Sequence, residues 1–363
     1  MTWRQFSPQI CHLTTISKRI ITSSNAMSPC RLAARNLGMM NTDRMRTSER
    51  ALTPGRAGVR RVPAISELGL LAEKALRVES IGQVAAVFDR SFYVALGSQW
   101  ICVGLSHLGS GPLHALCERR PLCWPAVGAS AAVTDSILVI DNKPFATFDD
   151  ASIWKPELAR DWTYAGLRRG LGAVDQFWRA DIDGEGLSAA GCERPPTKLT
   201  PLLAAAAAGI AALDRIITNA LDERSPSPAD RAELVKLIGL GPGLTPSGDD
   251  LIGGALIALA MLDRLDVRDL IWHVCHEHLD RTNSISQIHL RTAALGYGAA
   301  AMHAAVHATI AGEVGRVEQA LIDVSAIGHS SGRDGFAGVL IVLRAVERNL
   351  TSKKVRTSIS TRS

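Results

Sequence analysis

The sequence predicts an α+β protein, a small mainly antiparallel β domain at 63–153 followed by a larger all-helical domain at 154–350. Three observations carry this. Between 84 and 148, short apolar segments rich in β-branched and aromatic residues alternate with Asp-Arg, Gly-Ser and Asp-Asn pairs, the chemistry of strands and tight turns. After Trp154-Lys155-Pro156 the segments lengthen and take helical spacing. Residues 251–262 are apolar on every side, which places a helix inside the protein.

At 363 residues the chain is long enough for two domains, and 47% hydrophobic residues suffice for a buried core. The net charge of +5 misleads, because residues 1–60 hold ten Lys/Arg against Asp43 and Glu49, a net of +8 that leaves −3 elsewhere. A mildly acidic body offers no basic footprint, so no nucleic-acid partner is expected. The seven cysteines (Cys11, Cys30, Cys102, Cys117, Cys123, Cys192, Cys275) form no Cys-x-x-Cys pair. This argues for a reducing compartment and a cytoplasmic location. No apolar run reaches the roughly 18 residues of a membrane span, so no membrane partner is expected either.

In chain order, residues 1–62 are basic, hydroxyl-rich and acid-poor, and read as a disordered extension. Two origins stay open: a transit peptide, or an upstream start, since Met27, Met39, Met40 and Met45 follow. A short helix is expected over 65–77, then strands at 84–88, 92–96, 100–105, 136–140 and 143–148. Gly109-Ser110-Gly111-Pro112 reads as a turn into a short helix ending near Arg119. Helices are expected at 157–178, 199–223, 228–238, 245–263, 266–280, 284–310, 312–326 and 334–349, with a disordered tail over 351–363. The acidic stretch at 181–186 lacks the glutamate and flanking helices of a calcium loop and reads as a solvated turn. His273 and His276 share a helix face, but without His-Glu-x-x-His they read as a surface helix end.

The functional reading centres on Gly241-Pro242-Gly243-Leu244-Thr245-Pro246-Ser247-Gly248-Asp249-Asp250. Thr245 suits the N-cap and Pro246 the first helical position. First-turn amides beside glycines make an anion site at the mouth of a buried helix. Asp249 and Asp250 there could move a proton or hold a cation, or only complement the helix dipole. No Gly-Lys-Ser/Thr follows, so this is not a nucleotide P-loop.

An offset of 84 residues lays Ser331, Gly332, Asp334, Gly338 and Leu340 over Ser247, Gly248, Asp250, Gly254 and Leu256, five identities in ten positions. The match predicts two similar helix starts converging on one site, with Gly254 and Gly338 allowing close approach and Asp250 and Asp334 as a facing pair.

Three stretches, Gly-Leu-Gly-Pro-Gly-Leu-Thr-Pro-Ser-Gly-Asp-Asp (239–250), Thr-Asn-Ser-Ile-Ser (282–286) and Ile-Gly-His-Ser-Ser-Gly-Arg-Asp (327–334), resemble the AllH-like family in content and order. The resemblance covers about 80–350, with Trp154-x-Pro156 a weaker marker. Arg90-Ser91-Phe92-Tyr93 departs from it, where a small-Val-Asn run is usual. The family includes a subunit assigned to oxamate carbamoyltransferase, an enzyme of anaerobic allantoin breakdown. That assembly, with two further subunits, moves a carbamoyl group between oxalurate and phosphate, giving oxamate and carbamoyl phosphate. The resemblance implies that this chain is such a subunit, or a relative acting on another small anion.

The residues then nominated as catalytic are Asp249, Asp250, His329 and Asp334. Those nominated for substrate are Gly241, Gly243, Thr245, Ser247, Gly248, Thr282, Ser284, Ser286, Ser330, Ser331, Gly332 and Arg333. Ser247 and Ser331 would stabilise a tetrahedral oxyanion, His329 would act as acid or base, and Arg333 would grip a carboxylate or phosphate. The plainer roles are capping serines, a loop-bonded histidine and a solvated arginine. Ser360-Thr361-Arg362-Ser363 near-matches the phosphate grip of other carbamoyltransferases, but lies in the tail and is set aside. Two other functions stay open. One is a Mg²⁺-dependent hydrolase with Asp249, Asp250 and Asp334 as metal ligands, since magnesium needs only one or two carboxylates. The other is a non-catalytic, anion-binding assembly subunit. No other cofactor is implied.

Overall fold

In the computed structural model of the chain, the described residues are 62–360, apart from 79, 120–123, 158–160, 179–185 and 195–198, with the backbone alone for 354–360. The extension up to residue 61, the tail's last three residues, the acidic turn at 181–185 and Cys11, Cys30 and Cys123 lie outside the described residues. The strands are β1 (Ile65–Gly69), β2 (Ile81–Val87), β3 (Ser91–Leu96), β4 (Gln99–Leu105), β5 (His114–Cys117), β6 (Ser130–Thr134), β7 (Ile137–Ile140), β8 (Lys143–Thr147) and β9 (Ser152–Trp154). They make one sheet in the order β8-β7-β6-β2-β3-β4-β5-β1-β9. Neighbours pair antiparallel except β4 with β5 and β1 with β9. Asp141 and Asn142, both at positive φ, form the tight turn between β7 and β8.

Two expectations fail on the sheet. The helix expected over 65–77 is β1 followed by the shorter α1 (Leu70–Leu76). The helix expected after Gly111-Pro112 is strand β5, held between parallel β4 and antiparallel β1 with Ala115, Leu116 and Cys117 buried. A ladder on both sides satisfies its backbone, and this pairing overrides the local Gly-Pro signal.

The rest of the chain is helical: α2 (Tyr164–Phe177), α3 (Pro201–Leu221), α4 (Pro228–Val235), α5 (Ser247–Met261), α6 (Leu265–His276), α7 (Ser284–Ala294), α8 (Ala300–Ala311), α9 (Val314–Ser325) and α10 (Ser331–Ser360). The architecture is α+β, a mainly stranded region followed by a helical one. Side-chain caps fix several starts: Thr163, Thr200, Ser227 and Asn283 each accept a first-turn amide. The single helix expected over 284–310 is two, because Gly296 takes a left-handed turn at φ +83°. Helix α10 starts at Ser331, three residues early, and continues past its expected end at 349 to Ser360. His273 and His276 are exposed at the end of α6, as read from the sequence.

By length and composition α3 could cross a membrane, which the sequence reading had not allowed. Its Leu213, Ile216 and Ile217 are buried in the helical core. Its Asp214 and Arg215 pair with Arg348 and Asp230.

Helix α5 lies at the centre of the helical core, and all its residues are buried except Asp250. The sheet has its own core on the face that carries Phe92, Val94, Ile101 and Val103. Strand alternation sends Tyr93 and the residue paired with it, Cys102, to the opposite face, where they pack on Ile285 of α7. That small cluster is the seam between sheet and helices.

Candidate functional site at the seam

The glycine-rich loop and the segment before α10 are two builds of one local structure. Gly248 N–H donates to the Leu240 carbonyl at 2.9 Å, and Gly332 N–H to that of Ile327 at 3.0 Å. A Cβ on Gly248 would stand 2.0 Å from Leu237 O, and one on Gly332 1.9 Å from Val324 O. Gly241 and Gly328, both at positive φ, lie against Ser247 and Ser331. The second loop is three residues shorter, which is why a fixed offset of 84 registers the helices but not the loops.

The helices themselves cross with reciprocal contacts. A Cβ on Gly254 would meet Gly335 O at 1.7 Å, and one on Gly338 would meet Leu251 O at 1.9 Å. Residues 254 and 338, like 251 and 335, differ by 84, so the repeated halves are related by an approximate twofold. Only glycine permits this approach of backbone to backbone. The serines are exchanged across the crossing: Ser331 of α10 sits beside Asp250 of α5, and Ser247 of α5 beside Asp334 of α10.

The starts therefore converge as the repeat led one to expect, but the two aspartates do not share a cavity. Asp334 is fully buried, and its Oδ1 accepts Leu187 N–H at 2.5 Å. Asp250 instead lines a cavity of about 330 Å³ at the seam, walled by α5, α7 and the start of α10 on one side and by β3 and β5 on the other. That size is at the lower end for ligand sites and suits a small molecule. The carboxyl's Oδ2 is buried without a hydrogen-bond partner among the described residues. Burial pushes Asp250 well above the usual carboxylate range, and the nearby Asp334 and Asp249 add to this. The hydroxyls of Ser331 and Thr245, 2.8 Å apart, oppose it in part.

The sheet contributes groups that the motifs did not reveal. Tyr93 Oη lies 2.8 Å from His289 Nε2 across the seam. Burial raises the phenol well above its usual range, with Cys102 and Asp250 contributing, so Tyr93 keeps its proton. Burial, with a smaller push from His114, lowers His289 to about 4, so its ring is neutral at pH 7. His114 donates Nδ1–H to the Gly109 carbonyl at 2.8 Å, which leaves Nε2 as the acceptor in the neutral ring. Burial lowers its pKa as well. Arg90 adds a cation to the cavity wall.

Residues 237–343 match a family model described as oxamate carbamoyltransferase subunit AllH. This segment is similar to AllH. The resemblance read from the three motifs is borne out over these residues, which hold both helix starts, the crossing and α7. Tyr93, His114 and Arg90 lie outside the AllH match, so the cavity joins the matched segment to the sheet. No solved structure matches the chain.

Of the AllH-segment residues nominated from the sequence, Asp249, Asp250, Thr245, Ser286, Ser331 and Gly332 line the cavity. Asp249 is also a brace: Oδ1 accepts Gly239 N–H at 2.9 Å, and Oδ2 accepts the hydroxyls of Thr282 and Ser286 at 2.5 and 2.6 Å. These bonds tie the loop before α5 to the start of α7. Asp249 is so engaged and Asp334 is sealed under Leu187, so of the three aspartates weighed as magnesium ligands in the hydrolase alternative only Asp250 has a carboxyl open to the cavity. No cluster of three His, Cys, Asp or Glu side chains suited to a metal occurs among the described residues.

The others stand apart from the cavity. Ser247, Ser330 and Arg333 interact with Asp334. Gly241 packs on Ser247, Gly243 is exposed with open space around it, and Ser284 and His329 are exposed. Thr245 is not the N-cap, because Pro246 takes that position and the threonine hydroxyl turns to Ser331. The expected anion cradle is also corrected. The amides of Gly248, Asp249 and Asp250 donate to Leu240 and Pro246, and the Gly248 α-carbon faces Leu237 rather than a ligand. Those three amides are therefore engaged within the loop.

Proposed function

We propose that this chain is a subunit of an oxamate carbamoyltransferase-like enzyme and that its seam cavity takes the small substrate, oxalurate in one direction and oxamate in the other. The AllH match over 237–343 supports the family-level reading. The observation that supports the site is the convergence of Asp250 with the Tyr93–His289 pair on one small cavity. In this reading a phosphate oxygen attacks the terminal carbamoyl carbon of oxalurate. The bond from that carbon to the inner nitrogen breaks, the carbamoyl group leaves on phosphate, and the nitrogen takes a proton to become the amide of oxamate. Burial raises both Asp250 and Tyr93 above their usual ranges, so the cavity carries groups suited to exchanging the proton this step needs. Arg90 and the His114 imidazole on the sheet wall suit the carboxylate end. Phosphate binding and the remaining machinery belong to partner subunits in a hetero-oligomer. Four free cysteines among the described residues accord with a cytoplasmic setting.

The test is phosphate-dependent breakdown of oxalurate by the chain combined with the other carbamoyltransferase subunits. Carbamoyl phosphate should form only when this chain is present. Equal rates without the chain, or no carbamoyl phosphate with all subunits present, would contradict the proposal.

A further inference from the structure

The two helix starts are equivalent, yet what meets the aspartate of each differs. At Asp334 the chain supplies a partner to Oδ1, while Oδ2, like that of Asp250, has none among the described residues. Leu187 N–H donates to Oδ1, and Gly186 makes room for that strand of backbone, since a Cβ there would stand 2.6 Å from the same oxygen. The backbone around Leu187 is thus a planar amide laid against Asp334, with the Ser247 and Ser330 hydroxyls beside it. At Asp250 the same surroundings recur, with Ser331 and Thr245 as the flanking hydroxyls, but the residue opens on the seam cavity.

We infer that Asp250 accepts what Asp334 accepts, an amide N–H, here carried by the ligand: Asp250 is the group that faces the nitrogen of a primary amide or ureide and selects it over an oxygen. Three observations favour this orientation. The Gly248, Asp249 and Asp250 amides of α5 are spent on Leu240 and Pro246, so these three are not offered to a carboxylate or phosphate. The Ser286 hydroxyl donates to Asp249, which leaves it as an acceptor toward the cavity. The cationic Arg90 comes from the sheet, at the β2–β3 turn, and gives the anionic end of the ligand a place on the other wall. The leaving nitrogen of a carbamoyl transfer would then lie against a carboxyl that can hold or release its proton. The inference rests on the cavity being the substrate site proposed above, and it fixes which end of the substrate points where.

Oxamate and oxalate differ only in an NH₂ in place of an oxygen anion, so titration calorimetry of the full chain with each isolates the contact. The wild type is expected to bind oxamate at least tenfold more tightly than oxalate. Asp250→Asn keeps the shape but carries an N–H donor that cannot be given up as the carboxyl proton can, and should bring the two affinities to within about threefold or reverse their order. Tyr93→Phe should weaken both ligands and leave the ratio alone. Equal affinities in the wild type, or an unchanged ratio in Asp250→Asn with oxamate still bound, would overturn the inference while the cavity stands as the site. If neither ligand binds the wild type, the cavity reading itself fails and the inference with it.

Discussion

The Tyr93 hydroxyl and the His289 imidazole meet at 2.8 Å across the seam, joining strand β3 to helix α7 over a chain separation of 196 residues. Removing the hydroxyl separates a structural from a chemical role. Tyr93→Phe should cost about 1 kcal/mol of stability by urea denaturation, the worth of one hydrogen bond. If the pair moves a proton, kcat should fall by about 100-fold, the low end for acid–base catalysis. An unchanged kcat would leave the pair as a seam fastener only.

The crossing of α5 and α10 makes a sharp forecast for three glycines. Gly254→Ala and Gly338→Ala each drive a methyl into a backbone carbonyl and should cost about 3 kcal/mol or more, with a double variant far from additive. Gly253→Ala meets only the Ala293 methyl at 3.6 Å and should be neutral or stabilising by up to about 1 kcal/mol. Equal losses at all three positions in thermal denaturation would contradict the geometry of the crossing.

The adjacent aspartates should behave oppositely. Asp249→Ala strands the Gly239 amide and two hydroxyls, and should destabilise the fold by about 3 kcal/mol or more. Asp250→Asn should leave the fold intact. Similar denaturation midpoints for the two variants would show that Asp249 is not the brace described.

The local motifs made one half of this site legible and hid the other. Asp250 and Thr245 stand in a stretch whose glycines, proline and acids declare a helix start, and the 84-residue match exposed its twin, which carries Ser331. Tyr93 reads in the sequence as one more apolar strand residue, and only the sheet register and the packing of Ile285 reveal that it faces helices. His289 carried a usable signal, since it lies one turn after Ser286 on the same face of α7. The strand β5 was lost to a Gly-Pro turn because its pairing partners, β1 and β4, are not local. The exclusion of Asp334 from the cavity depends on Leu187, which no spacing rule links to it.

Titration gives two signed tests. His289 has a folded pKa near 4 against 6.5 when unfolded, so the unfolded chain binds the extra proton between these values. Its contribution is present above pH 6.5 and lost as pH falls toward 4. His289→Gln should therefore lower the slope of stability with pH in that window by about 1.4 kcal/mol per unit. Asp250 has the opposite sign. Its folded pKa is raised above 3.8, so wild-type stability falls as pH rises past 3.8 until the folded carboxyl ionises. The melting temperature of Asp250→Asn relative to wild type should climb between pH 4 and 7. A flat difference would mean that the carboxyl is not buried as described.

A crystal of the full chain soaked with oxamate locates the ligand directly. The expected result is density in the seam cavity between Asp250 and the Tyr93–His289 pair, with the amide nitrogen about 3 Å from the Asp250 carboxyl group. Oxamate ordered at another site, with only solvent between Asp250 and Tyr93, would contradict the assignment of this cavity as the place where substrate binds.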